Sequence, residues 1–326
     1  MRVGRVGRAA AVVVVLVTLT VGCSSDDQDG GSAEASGDPA AETTETTVPT
    51  TTAAVPTRSE VEHLTLDLVD SSRVTPRANV PGHDGRDLPT EVYVPAGTGP
   101  FPLIAFSHGW AGHPRKFTQL FQAWAEAGYV VAAPTFPLSN DQAAGGATSD
   151  DVDNQPGDIS FVIDEVLAAS EDADDPLYGS VDPDHIGTAG LSLGGVTTYG
   201  VAFADCCRDD RLDAAAVFDG GAVGFDLQLD SGLPLLIVHA DEDYAVPYEA
   251  ATLAYADAVA PKWLLTLHEA MHFEAFEDTP DPADEVVEAV SIAFFDRYLR
   301  DDDDAEDRLV EAVAPASLAT LEHELP

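Results

Sequence analysis

The segment Gly190-Leu191-Ser192-Leu193-Gly194, with Gly195 after it, constrains this chain more than any other. A serine with glycine two positions away on each side suits a strand-to-helix turn too tight for neighbouring side chains. The apolar run from His185 to Leu191 supplies a strand before it, and a helix-compatible stretch follows. Such a turn lifts the hydroxyl above the end of a sheet and sets the N–H groups and dipole of a helix start beneath it. The motif therefore demands a buried strand, a helix packed back on it, and neighbours on both faces.

The rest of the chain has the periodicity to supply them. Leu64, Leu66 and Leu68 alternate as in a half-buried strand, and Glu91–Val94, Leu103–Phe106 and Tyr129–Ala133 read as further strands. Ala214–Phe218, Leu235–His239 and Trp263–Leu267 continue the series. Phe117, Leu120, Phe121 and Trp124 recur at helical spacing, as do Ile159, Val162, Ile163, Val166 and Leu167. Helices are also expected over Val246–Ala260 and Asp284–Leu299, and a last short one over Arg308–Leu321 after the acidic break Asp301–Asp304. Strands alternating with helices at this spacing predict an α/β fold, doubly wound about a mostly parallel sheet. Only Asp219–Pro234 separates the strands Ala214–Phe218 and Leu235–His239, too few residues to hold more than a minimal cap domain between them.

The first 59 residues have a different character. Arg2, Arg5 and Arg8 precede an apolar run, Ala9–Val21, that is too short to span a bilayer. The run ends in Leu19-Thr20-Val21-Gly22-Cys23, which resembles the lipobox of bacterial lipoproteins, although Thr20 stands where an aliphatic residue is usual. That likeness implies a signal peptide over 1–22, lipidation of Cys23, and export to the outer face of the cell membrane, with plain secretion as the alternative. Residues 23–59 carry few large apolar side chains and read as a low-complexity tether, leaving 60–326 as the folded domain.

Charge excludes one class of partner. With 15 Lys+Arg against 58 Asp+Glu the chain carries −43, and loss of the three leader arginines gives 12 − 58 = −46. Nucleic-acid phosphates and anionic lipid headgroups would be repelled. Beyond Cys23 only the adjacent Cys206 and Cys207 remain, with no zinc-type spacing, so no metal is expected. The two thiols form a possible vicinal disulfide in an oxidising compartment. The acidic run Asp151–Asp158 fails as a calcium loop, because Pro156 falls where the sharp-turn glycine belongs.

Around Ser192 the partners needed for nucleophilic catalysis occur in suitable places. Asp241, Glu242 and Asp243 follow one strand, and His268 and His272 follow the next. Phe106-Ser107-His108-Gly109-Trp110 closes an earlier strand, with His108 read as a structural loop residue.

Taken with Asp158-Ile159-Ser160-Phe161-Val162-Ile163-Asp164, these motifs resemble the α/β-hydrolase superfamily over about Val61 to Leu321. More narrowly they are similar to bacterial enzymes grouped with dienelactone hydrolases and platelet-activating-factor acetylhydrolases. Leu191 departs from a histidine common before the nucleophile, and dienelactone hydrolases proper use cysteine where Ser192 stands. The resemblance implies a serine carboxylesterase of lipase type working without a cofactor. It selects Asp243, which precedes Val246-Pro247 as in the family pattern, and His272, which stands immediately before Phe273. It also assigns the oxyanion donors to the N–H groups of Trp110 and Leu193. The expected partner is a neutral or zwitterionic small ester, with lipid or polyester substrates secondary. A peptidase or amidase using the same residues, and a catalytically silent surface binding protein, are the alternatives.

Overall fold

The computed structural model describes residues 55, 57–76, 84–313 and 317–326. Cys23, the leader and nearly all of the tether lie outside the described residues. A nine-stranded sheet forms the centre. Its strands are β1 (Glu62–Asp70), β2 (Arg86–Val94), β3 (Phe101–Ser107), β4 (Val130–Pro134), β5 (Val181–Leu191), β6 (Leu212–Phe218), β7 (Leu235–Ala240), β8 (Lys262–Leu267) and β9 (Ala319–Glu324). They lie in the order β9-β8-β7-β6-β5-β3-β4-β2-β1. The run from β4 to β8 is parallel, and β1, β2 and β9 add antiparallel pairings at the two edges.

The helices are α1 (Thr118–Glu126), α2 (Gln155–Glu171), α3 (Leu193–Phe203), α4 (Glu249–Asp257), α5 (Asp284–Leu299) and α6 (Ala305–Glu311). Side chains alternate across each strand, so β3 sends Ile104 and Phe106 to one core and Leu103 and Ala105 to the other. The first core is closed by α1 and α5, where Trp124 meets Phe295 edge-on at 5.8 Å and donates from Nε1 to Ser291 Oγ at 2.9 Å. The second is closed by α2, α3 and α4. Strands covered on both faces explain the near-continuous apolar runs read in the sequence.

Two expectations need correction. Arg308–Leu321 is not one helix: α6 stops at Glu311, and Ala319–Glu324 form β9. Residues 319–324 pair antiparallel with β8, from Leu267↔Ala319 to Lys262↔Glu324, and His323 stacks on Trp263 at 4.6 Å. The bare edge of β8 supplies the backbone partners that outweigh local helix preference. The helix expected from Val246 begins only at Glu249, because Asp243 Oδ1 accepts from the N–H groups of Ala245 and Val246 in a turn.

The acidic segment before α2 also finds its explanation. Arg86, fully buried at the start of β2, donates to both Asp151 and Asp158 at 2.6–3.1 Å. Arg73 reaches Asp158 as well, at 2.7 Å. These carboxylates tie the first turn of α2 to the sheet.

Candidate active site

The chain runs from β3 to β4 on one side, then crosses to place β5 on the other side of β3. Parallel sheets open a crevice at such a reversal, beyond the carboxyl ends of the strands. Ser192 follows β5 there, and the 108–110 loop follows β3. Ser192 has φ 59°, a conformation few non-glycine residues adopt, and its N–H is held by Phe218 O at 2.8 Å. A side chain at Gly194 would come within 1.9 Å of Ser107 O, so only glycine lets α3 start against β3. Gly109 also packs tightly, since a Cβ there would lie 3.3 Å from Ser192 Cβ. Trp110, the expected oxyanion donor, follows Gly109 directly in the chain. Leu193 is the first residue of α3, where an N–H has no intrahelical acceptor.

Ser192, His272 and Asp243 are joined in one chain of hydrogen bonds. Ser192 Oγ lies 2.8 Å from His272 Nε2, and His272 Nδ1 lies 2.7 Å from Asp243 Oδ2. A carboxylate only accepts, so Nδ1 carries the proton and Nε2 presents its lone pair to the serine hydroxyl. Asp243 is wholly enclosed, and its other oxygen takes the N–H groups of Ala245 and Val246 at 2.7 and 2.8 Å. The remaining candidates fall elsewhere. Asp241 accepts from His268 Nδ1 at 3.0 Å and from the N–H of Glu269 at 2.8 Å, which fixes the base of the loop carrying His272. Glu242 faces solvent.

His108 is buried with both ring nitrogens used. Nδ1–H donates to Gly109 O at 2.8 Å, and Nε2 accepts from the N–H of Phe136 at 3.0 Å. Burial pushes its pKa down to about 4, so the ring is neutral and pins the 108–110 loop to the segment after β4. A further strap there is Ala111 N–H to Ser139 O at 2.7 Å.

Two residues of the site were not singled out as partners in the sequence. Asp219, immediately after β6, is fully buried, and its Oδ2 lies 3.8 Å from His272 Nδ1. His239, at the end of β7, donates from Nε2 to Val246 O at 2.9 Å and sets Nδ1 3.8 Å from Asp219 Oδ1. Asp219, His239 and Asp243 each offer an atom within 4.8 Å of the others, the one such trio among the described residues. A cation there would compete with His272 for Asp243, so the cluster suits a proton better than a metal. Position at a strand end was the signal that could have found Asp219.

The mouth of the site is apolar and open. Trp110 is 60% exposed and Tyr244 65%, while Met271 and Phe273 flank His272 with 46% and 37% exposure. Asp141, Asp150 and Asp153 are exposed on the neighbouring loop. Asp151, in the same segment, is buried against Arg86 and carries no free charge to the surface. A groove of about 670 Å³ lined by Ala222, Val223, Phe225 and Leu253 lies beside α4, and none of Ser192, Asp243 or His272 lines it. The sulfurs of Cys206 and Cys207 lie 2.27 Å apart, past the far end of α3.

The dienelactone hydrolase family model matches residues 88–291, from β2 into α5, a span that contains Ser192, Asp243 and His272. No curated protein matches the chain.

Proposed function

The chain belongs to the dienelactone hydrolase family of α/β-hydrolases, and from that membership we propose that it is a serine carboxylesterase with Ser192 as nucleophile. The observation that carries this reading is the unbroken Ser192–His272–Asp243 chain at 2.8 and 2.7 Å. His272 Nε2 takes the hydroxyl proton as Ser192 Oγ attacks the ester carbonyl. The N–H groups of Trp110 and Leu193 receive the negative charge that develops on the carbonyl oxygen. The tetrahedral adduct collapses as His272 returns the proton to the departing alkoxide, leaving an acyl-serine. Water, deprotonated by the same imidazole, then releases the acid and restores the serine. Asp243 holds the ring so that Nε2 faces the reacting atoms throughout.

The substrate class follows from the mouth. Trp110, Tyr244, Met271 and Phe273 offer apolar contact, and an acidic chain repels anions, so neutral or zwitterionic esters are favoured. Because Trp110, Tyr244, Met271 and Phe273 stand exposed, short acyl groups are preferred, and the open mouth also admits lipid or polymeric esters. Export is part of the same proposal, with Cys23 as the lipid anchor and Cys206 and Cys207 bonded in an oxidising compartment.

Nitrophenyl esters of increasing acyl length, together with one bearing a free carboxylate, test the assignment. Wild-type protein should prefer short neutral esters, and Ser192→Ala should lower kcat by roughly 10³–10⁶ while the fold persists. Near-normal turnover by Ser192→Ala, or a marked preference for the anionic ester, would refute the respective part.

A further inference from the structure

The mechanism above leaves Asp219 without a task, although it lies closer to His272 than any carboxylate but Asp243. We propose that the acid serving His272 is a pair, in which Asp219 is a positioning residue able to receive the Nδ1 hydrogen bond in place of Asp243. The inference rests on the serine-hydrolase reading and names a residue that reading does not use.

Geometry carries it. Asp219 Oδ1 is fixed by the N–H of Ala240 at 2.8 Å, which aims Oδ2 toward His272 Nδ1, 3.8 Å away. That oxygen is buried and has no hydrogen-bond partner, an arrangement that costs stability unless function retains it. His239 Nδ1, facing the other oxygen, is likewise buried and unpartnered. The backbone at Asp219 is held at φ 43°, so a rarely adopted conformation delivers the carboxyl to this point.

The groups around it fix its protonation. Burial keeps the Asp219 carboxyl well above the ordinary carboxylate range, and the charges of Asp243 and Glu274 push it the same way, against the Ala240 N–H. Burial also lowers the pKa of His239, leaving its ring neutral. Two enclosed carboxylates beside each other do not both ionise, so the pair carries one negative charge and one proton. In the resting site Asp243 bears the charge, because two backbone N–H groups and Nδ1–H all donate to it. Remove that carboxylate, and one of the charges that keep Asp219 protonated is gone, while burial still favours the acid. The Nδ1–H bond and the positive charge that develops on His272 during turnover then favour the Asp219 carboxylate, which gives its proton to solvent, and a closure of about 1 Å brings its oxygen to hydrogen-bond distance of Nδ1.

Four proteins test this with a neutral nitrophenyl ester: wild type, Asp219→Asn, Asp243→Ala and the double variant. Asparagine keeps the acceptor for Ala240, tolerates the left-handed backbone and imitates a neutral acid. Asp219→Asn should lower kcat/KM about two- to fivefold, and Asp243→Ala about 10²-fold. The double variant should fall roughly 10⁴-fold, the loss seen when a triad retains no acid. The pH–rate profile of Asp243→Ala should gain an acid limb for ionisation of Asp219, and the double variant should lack it. A double variant no slower than the product of the single effects, or an Asp243→Ala profile without that limb, overturns the proposal. Should Asp243→Ala not fold, Asp243→Ser serves, since its hydroxyl still accepts from the N–H of Ala245. Turnover by Ser192→Ala is the separate control: if it persists, the serine-hydrolase reading fails, whatever the acids do.

Discussion

His108 shows how one buried side chain sets conditions for the whole site. Its neutral form satisfies Gly109 O and the N–H of Phe136 together. A second ring proton would point at the Phe136 N–H, donor against donor, with no solvent to absorb the charge. The folded-state pKa of about 4 lies below the ordinary 6.5, so acid drives protons onto the unfolded chain first. The stabilisation from a neutral His108 is therefore complete above about pH 6.5 and lost as pH falls from there toward 4, a difference of about 3 kcal/mol. Urea unfolding at pH 7 and pH 4.5 checks this. His108→Asn, which does not titrate, should lose distinctly less stability over that interval than wild type. An identical loss in both proteins would assign the acid sensitivity to the carboxylates instead.

At the scale of elements, the C-terminal strand matters most for the site's integrity. β9 covers the free edge of β8, and the N–H of His268, the first residue of the loop leading to His272, is held by Leu318 O at 2.8 Å. Removing residues 317–326 would expose a row of unpaired backbone groups and loosen the base of that loop. The truncated protein should melt at lower temperature and run as oligomers on size exclusion, with kcat falling more than the loss of folded protein explains. A monomer with unchanged activity would show that β9 is dispensable. At the opposite side of the site, Arg86, Asp151 and Asp158 lock the start of α2 to β2, and α3 leans on α2 through Thr197 and Gln155 at 2.5 Å. The turn that carries Ser192 is thus braced from behind.

For the molecule as a whole, an open apolar mouth sits on a strongly acidic chain. Among the described residues no helix is long and apolar enough to cross a membrane. Attachment, on the proposal above, rests on acylation of Cys23 with residues 23–59 as spacer, since an acidic surface gains nothing from anionic headgroups. Cys23→Ser should move the protein from the membrane fraction to the soluble one without altering its specific activity. A variant that stays with the membrane would refute the lipid anchor.

The α/β architecture and most element positions were legible in the sequence, because buried parallel strands leave uninterrupted apolar runs and amphipathic helices leave a 3.6-residue period. The turn at Ser192 was legible too, since its glycines answer local sterics that act over a few residues, such as the close approach of Gly190 to Gly194 O. Choosing among Asp241, Glu242 and Asp243, and between His268 and His272, needed the family pattern, because local sequence does not say which carboxylate meets which ring. Tertiary structure alone gave Asp241 to His268, buried Asp151 against Arg86, and drew the last segment out as β9 rather than helix. It alone brought Asp219 and His239 beneath His272. Those outcomes depend on groups far apart in the chain, and burial, edge pairing and shared charge act only once the sheet has brought them together.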